Sequence, residues 1–300
     1  MTFLRSLGFT IFALLCVPLT QAQAQVDTLN LTFTTIDVPG AVLTNVLGIN
    51  TAGDVVGNYE TESNSQSHGF LYSGGNFTLF DYPGASSTIA FGINDSRLIS
   101  GTAYIKNGTA AVSFLYDGTT FTTIRAPGDS ATLAHGINNA GVIVGGDGLS
   151  LSGTKGFALV GTKFKEVSPP GVYVYVFANG VNNLNQIVGT DDNGAFSYHN
   201  GKYKTIVFPG ASQTQAWGLN DSGIIVGWYV ECTPACEHGF ALLKGRYLSF
   251  DYPGAMGTFA DGINASGQIV GSYTPDEQTF HGFVADPITA AGFEKPPYAD

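Results

Sequence analysis

Charge is scarce in this chain: Asp, Glu, Lys and Arg make up 12% of its 300 residues, about half the usual share of roughly 25%. Sustained apolar periodicity of 3.6 residues is also missing, which excludes a helical architecture. Positive charge is the scarcer sign, with 12 Lys+Arg against 23 Asp+Glu and a net charge of −11. That balance argues against nucleic acid and anionic membranes as partners. It suits a neutral or cationic partner, and equally plain solubility. Cysteine is limited to Cys16, Cys232 and Cys236, and no Cys/His zinc spacing exists. A Gly-x-Ser-x-Gly elbow, a His-Glu-x-x-His helix and a phosphate loop are absent too, so no compact motif announces catalysis, a metal or a cofactor. Beyond the first two dozen residues no apolar run reaches membrane-spanning length.

What is present begins with an export signal. Residues 1–24 carry Arg5, an apolar run from Leu7 to Leu19 and the small-residue site Ala22-Gln23-Ala24, the pattern of a secretory leader. Its removal predicts a secreted, extracellular or periplasmic protein. Leu15 precedes Cys16 where a lipoprotein signal would want a small residue, so lipid anchoring is not expected. In an exported chain, Cys232 and Cys236, close together with Pro234 between them, predict a small loop disulfide.

The rest is a repeat. Gly-x-Asn-x-x-Gly-x-x-Val-Gly, or a close variant, begins at Gly48, Gly92, Gly136, Gly180, Gly218 and Gly262, at spacings of 44, 44, 44, 38 and 44 residues. Each copy predicts a tight hairpin: Asn opens the turn through its side chain, and Gly in fourth place supplies a positive φ. Asn185 fills the Gly position in the fourth copy, and Arg97 breaks the pattern in the second. Strain is expected at Arg97, so that Gly in its place should stabilise the protein. Each unit adds an aromatic strand pair, as in His68-Gly69-Phe70 to Phe77, and a Pro-Gly corner such as Phe80-Asp81-Tyr82-Pro83-Gly84.

Four short strands in about 44 residues is the size of a propeller blade. Small residues two places before each repeat Gly place the Gly-x-Asn strand innermost. The last unit lacks its outermost strand, whereas Leu31 to Asp37 is a surplus one. The prediction is an all-β, six-bladed β-propeller of four-stranded blades, its ring closed by the N-terminal strand, with an open solenoid as the alternative. Residues 25–30 then form a linker, 31–286 the propeller and 287–300 a tail.

The Gly-x-Asn hairpins followed by His68-Gly69-Phe70, His238-Gly239-Phe240 and His281-Gly282-Phe283 resemble the bacterial extracellular HAF-type repeat proteins. The resemblance covers about residues 31 to 285 and departs at Val112, Lys155 and Gly194, which replace the name-giving His. It implies export and a repeat fold and carries over no catalytic residue. The three His stand in different blades, too far apart to share a metal ion, and are expected to serve packing or hairpin hydrogen bonds.

Length variation concentrates in the loops between second and third strands, which share a face with the Pro-Gly corners. Tyr59, Tyr104, Trp228, Tyr229 and Tyr273 lead into these loops, with Asp147, Asp191 and Asp192. Exposed rings beside polar groups would suit a sugar. A second variable set directly precedes each repeat Gly: Leu47, Phe91, His135, Asn179, Trp217 and Asp261, of which Asn179 and Trp217 join the candidate ligand residues. The expected function is a monomeric binding or interaction module for a glycan or other extracellular polymer. The alternatives are a hydrolase or lyase using His135, Asp261 and Asp191 in a central channel, and a structural surface protein.

Overall fold

The computed structural model describes residues 26–62, 64–105, 110–126, 131–148, 153–171, 175–231 and 236–289. Two strands come first, β1 (Asp27–Thr28) and β2 (Phe33–Ile36). Blade 1 follows with β3 (Leu43–Ile49), β4 (Val55–Thr61), β5 (Asn64–Ser73) and β6 (Asn76–Phe80). Blade 2 holds β7 (Ser87–Ile93), β8 (Ile99–Ile105), β9 (Ala110–Tyr116) and β10 (Phe121–Ile124). Blade 3 holds β11 (Thr132–Ile137), β12 (Ile143–Asp147), β13 (Lys155–Val160) and β14 (Lys163–Glu166). Blade 4 holds β15 (Val176–Val181), β16 (Ile187–Asp191), β17 (Gly194–His199) and β18 (Lys202–Ile206). Blade 5 holds β19 (Gln213–Leu219), β20 (Ile225–Val230), β21 (Glu237–Leu243) and β22 (Arg246–Phe250). Blade 6 holds β23 (Gly257–Ile263), β24 (Ile269–Thr274) and β25 (His281–Ala285), completed by β2.

Closure is therefore by the N-terminal strand: β2 pairs antiparallel with β25, Phe33 opposite Ala285 and Ile36 opposite Gly282. Residues 25–30, expected as a linker, do more. Asp27 and Thr28 run parallel to Leu248 and Ser249, Arg246 pairs with Asp27, and Leu29 and Leu31 pack on the core of blades 5 and 6. The propeller also outlasts residue 286, because Ile288 is buried and its N–H donates to the Gly267 carbonyl. The expected leader 1–24, residues 290–300 of the expected tail and Cys232 of the expected disulfide lie outside the described residues.

First strands of consecutive blades contact one another around the whole ring, β23 returning to β3, so the Gly-x-Asn strand is innermost. Each repeat Asn has two roles. Its Oδ1 accepts the backbone N–H four residues on, in all six copies, at 2.9 to 3.1 Å. Its Nδ2 donates to the carbonyl of the equivalent Asn in the next blade: Asn50 to Asn94, Asn94 to Asn138, Asn138 to Asn182, Asn182 to Asn220, Asn220 to Asn264, and Asn264 back to Asn50. Six side chains thus form a closed hydrogen-bonded circle, and all six Asn are buried. Turn formation was expected of them; the bond between blades was not.

At Arg97 the backbone does adopt the left-handed conformation, φ 61°. Its guanidinium, however, clamps Asp54 of blade 1 through Nε and Nη2 at 2.8 and 3.1 Å and reaches Ser73 at 3.0 Å. The positive φ expected at Arg97 is thus present, and its side chain joins two blades, a contact that Gly would remove.

Candidate functional site

The residue before each repeat Gly is set apart by backbone geometry. Register shifts across Val46/Gly48, Ala90/Gly92, Ala178/Gly180, Ala216/Gly218 and Ala260/Gly262 leave one extra residue on each inner strand, and in blade 3 the irregularity spans His135 and Gly136. Such a bulge re-aims a side chain, and here Leu47, Phe91, Asn179, Trp217 and Asp261 line the central channel. The following Gly is required because its neighbour crowds it. A Cβ on Gly48 would stand 2.8 Å from the Phe91 carbonyl, and one on Gly180 2.5 Å from that of Trp217.

Within this ring His135 and Asn179 meet, Nδ1 to Oδ1 at 3.1 Å, while Asn179 also donates to the Ala216 carbonyl. His135 lies between the rings of Phe91 and Phe177, at 4.2 and 5.6 Å. Burial pushes its imidazole down to about 4, although the Asn179 bond opposes the shift. Burial raises the half-buried carboxyl of Asp261 to about 7. The channel space is small, with cavities of about 80 Å³ at the bulge ring and about 80 Å³ at the Asn ring. Each has room for a few waters.

The expected triad of His135, Asp261 and Asp191 is not assembled. His135 in blade 3 and Asp261 in blade 6 stand on opposite sides of the ring, and Asp191 ends β16 away from the channel, lining a different cavity. Trp217 and Asn179 do face the channel, where the space admits only a small molecule.

The aromatic residues leading into the loops are packed rather than presented. Tyr229 is 4% exposed and lies flat on Phe208 at 3.5 Å. Tyr273 lies flat on Tyr252 at 3.5 Å. Trp228 meets Phe259 edge-on at 5.5 Å. Tyr104 packs against the cluster of Ala111, Ala131 and Leu133, and Tyr59 lies 5.3 Å from the ring of His68. These rings all pack against neighbours, Tyr229 being buried while Tyr59, Tyr104, Trp228 and Tyr273 stay partly exposed. Tyr59, Tyr229 and Tyr273 each lie against a His that is bonded in turn to an Asp: His68 to Asp81, His238 to Asp251 and His281 to Asp37, at 2.8 to 2.9 Å. Sequence reasoning expected hairpin bonding for these His but missed the partner. The signal was the 13-residue spacing shared by His68/Asp81 and His238/Asp251.

Of the acids, Asp147 accepts the Lys155 N–H across its own hairpin. Asp191 and Asp192 are different, for they share a cavity of about 290 Å³ between blades 4 and 5 with Tyr175, Asn193, Gln213 and Gln215. The β16–β17 turn has two residues, Asp191 pairing directly with Gly194, and it belongs to the one unit spaced at 38 rather than 44 residues. The stretch from the Gly of the second strand to the Phe of the third is shorter here than in the other units, and the cavity lies beside it. Asp191 is 6% exposed and accepts the Asn193 N–H at 2.7 Å, while Asp192 accepts that of Tyr175 at 2.8 Å. Burial raises the Asp191 carboxyl, the Asp192 charge adds to the rise, and bonds from Asn193 and Gly194 oppose it. Tyr175 is raised by burial and by both carboxylates. No cation lines the cavity. Among the described residues no group of three or more His, Cys, Asp or Glu is placed to hold a metal ion.

No protein-family model matches the chain, and no curated protein matches it. Among solved structures it is similar to a catalytically inactive virginiamycin B lyase from Staphylococcus aureus with quinupristin, at 10% identity over 86% of this chain and 100% of that one, TM-score 0.51. It is also similar to a streptogramin B lyase, at 14% identity over 87% and 88% of the two chains, TM-score 0.48. A third is a six-bladed fungal lectin, Aleuria aurantia lectin, at 11% identity over 89% and 100%, TM-score 0.43. At such identities the likeness is one of fold.

Proposed function

We propose that the chain is an exported propeller that acts as a binding module, and that its ligand site is the polar cavity between blades 4 and 5. One observation carries this reading: the only unit of the repeat sequence that departs from the common spacing is the one whose short turn, Asp191 to Gly194, lines a cavity of about 290 Å³. The lining supplies acceptors at Asp191 and Asp192, amides at Asn193, Gln213 and Gln215, and one ring at Tyr175. Convergent polar groups with a single ring suit a hydroxyl-rich ligand, which makes a glycan or another extracellular polymer the class to test. The channel cavities are smaller, at about 80 Å³ each, and the aromatics are engaged with neighbouring side chains. An Asp191→Asn/Gln213→Ala variant, screened beside wild type on an array of neutral and amino-sugar glycans, should lose binding by about tenfold or more, because buried hydrogen bonds to a ligand are worth about 1–3 kcal/mol. Trp228→Ala should keep it. Loss in Trp228→Ala with retention in the cavity variant would overturn the assignment. Release of new reducing ends from a bound glycan would make the site hydrolytic.

A further inference from the structure

Cations are few in this chain, and four of them sit on two adjacent outer strands: Lys163 and Lys165 on β14, Lys202 and Lys204 on β18, all exposed. Elsewhere Arg97, Lys155 and Arg246 are paired with Asp54, Glu166 and Asp27. Among the described residues no carboxylate forms an ion pair with Lys163, Lys202 or Lys204. Glu166, the acid on β14, is held by Lys155 at 3.3 Å. Lys165 ties β14 to blade 4, its Nζ donating to the Tyr198 hydroxyl on β17 at 2.9 Å and lying 5.5 Å from the ring centre. Beside Lys202 and Lys204 a second cavity of about 290 Å³ opens between blades 4 and 5, lined also by His199, Ser197, Leu219 and Ile225 and by no carboxylate. A chain with 23 acidic residues thus keeps acid out of one cavity and places ammonium groups around it.

We propose that the outer edges of blades 3 and 4, with this cavity, form a docking surface for an acidic polysaccharide. A carboxylated sugar would seat against Lys202 and Lys204, and further units of the same polymer would meet Lys163 and Lys165. Charge complementarity selects the partner. Packed sheets stand about 10 Å apart, so one small anion cannot serve both lysine pairs, whereas a polyanion can. The net charge of −11 does not cancel the patch at physiological salt, where charges more than about 8 Å away are screened. Nucleic acid fits less well, since the patch holds no Arg to fork onto phosphate. This surface is distinct from the Asp191/Asp192 cavity and does not depend on it.

Affinity electrophoresis in gels containing polygalacturonate, dextran or double-stranded DNA tests the proposal. Polygalacturonate should retard the wild-type protein and dextran should not. Lys202→Gln/Lys204→Gln should weaken retardation by roughly tenfold, as expected for losing two charge contacts to a polyanion, and Lys163→Gln by less. Asp191→Asn/Asp192→Asn should leave it intact, which separates this proposal from the one above. The lysines are exposed, so the variants should fold, and an unchanged melting temperature verifies it. Absence of retardation by polygalacturonate, equal retardation of the Lys202/Lys204 variant, or DNA held as tightly as polygalacturonate would each overturn the proposal.

Discussion

Arg97 shows how one side chain can reverse the sign expected of its backbone. A non-glycine residue at φ 61° carries strain of about 1 kcal/mol, which a Gly would relieve. Against this stands the bond to Asp54, whose side chain is 6% exposed while that of Arg97 is 58% exposed. Breaking a fully buried pair costs about 3–5 kcal/mol. Solvent screening of the guanidinium and the bond that Asp54 keeps from Asn50 reduce this to about 2. Arg97→Gly should therefore destabilise by about 1 kcal/mol near pH 7. Burial alone would raise the Asp54 carboxyl, but hydrogen bonds from Ser73, Asn50 and Arg97, with the Arg97 charge, leave it below its ordinary value. A carboxylate with a lowered folded pKa contributes stability that is present above its unfolded value and lost as the pH falls through the folded one. The gap between wild type and Arg97→Gly in urea melts should accordingly narrow below about pH 4. A variant more stable than wild type at pH 7 would show that the strain outweighs the ion pair.

At the scale of elements, the two ends of the propeller differ in what they hold. β2 makes four residue pairs with β25, its Phe33 ring sits 5.1 to 6.4 Å from Tyr252, Phe283 and Phe250, and Asp37 beyond it binds His281. Starting the chain at Val38 should therefore unfold blade 6 or lower the melting temperature by many degrees. Ending it after Thr289 should leave the temperature within a degree or two, since Ile288, the last buried residue described, is retained. Equal effects in differential scanning calorimetry would argue for an open array. The elements were legible in the sequence because Gly, Asn and Pro-Gly mark every turn by local backbone rules. The surplus strand was legible because the last unit was one strand short. β1 was not, because Asp27-Thr28 has no pattern of its own and is held by what β22 offers. The site was poorly legible for a related reason. A Tyr before a loop looks the same whether its ring meets solvent or, like Tyr229, lies on Phe208, and that depends on the neighbouring blade. The 38-residue spacing was visible, yet that its short turn borders a cavity depends on how blades 4 and 5 pack.

The whole molecule is held as a ring by contacts that repeat around it, and the Asn circle makes this testable. Asn264 donates to the Asn50 carbonyl across 214 residues of sequence, as Asn138 donates to that of Asn182 across 44. If the ring is closed in solution, the two bonds are equivalent despite the difference in chain separation. Asn→Asp tests them alike: Oδ1 remains to accept the N–H of Gln268 or Val142 and preserve the turn, while the donor to the next blade is replaced by an oxygen facing a carbonyl, and each position also loses one side-chain bond from Nδ2, to Gln268 Oε1 or to Asn185 Oδ1. A buried acceptor left against an acceptor costs about 1–3 kcal/mol, so Asn264→Asp and Asn138→Asp should each lower the melting temperature by several degrees at pH 7. Protonation would restore a donor. A carboxyl facing a carbonyl has a raised folded pKa, so its penalty is full above that value and fades as the pH falls toward the unfolded one; both variants should approach wild type at pH 4. The decisive comparison is between the two positions. A full loss at Asn138 with none at Asn264 would mean that blades 6 and 1 are not joined. Equal losses, with one cooperative transition in each, would show that the first and last blades meet as any other neighbouring pair does.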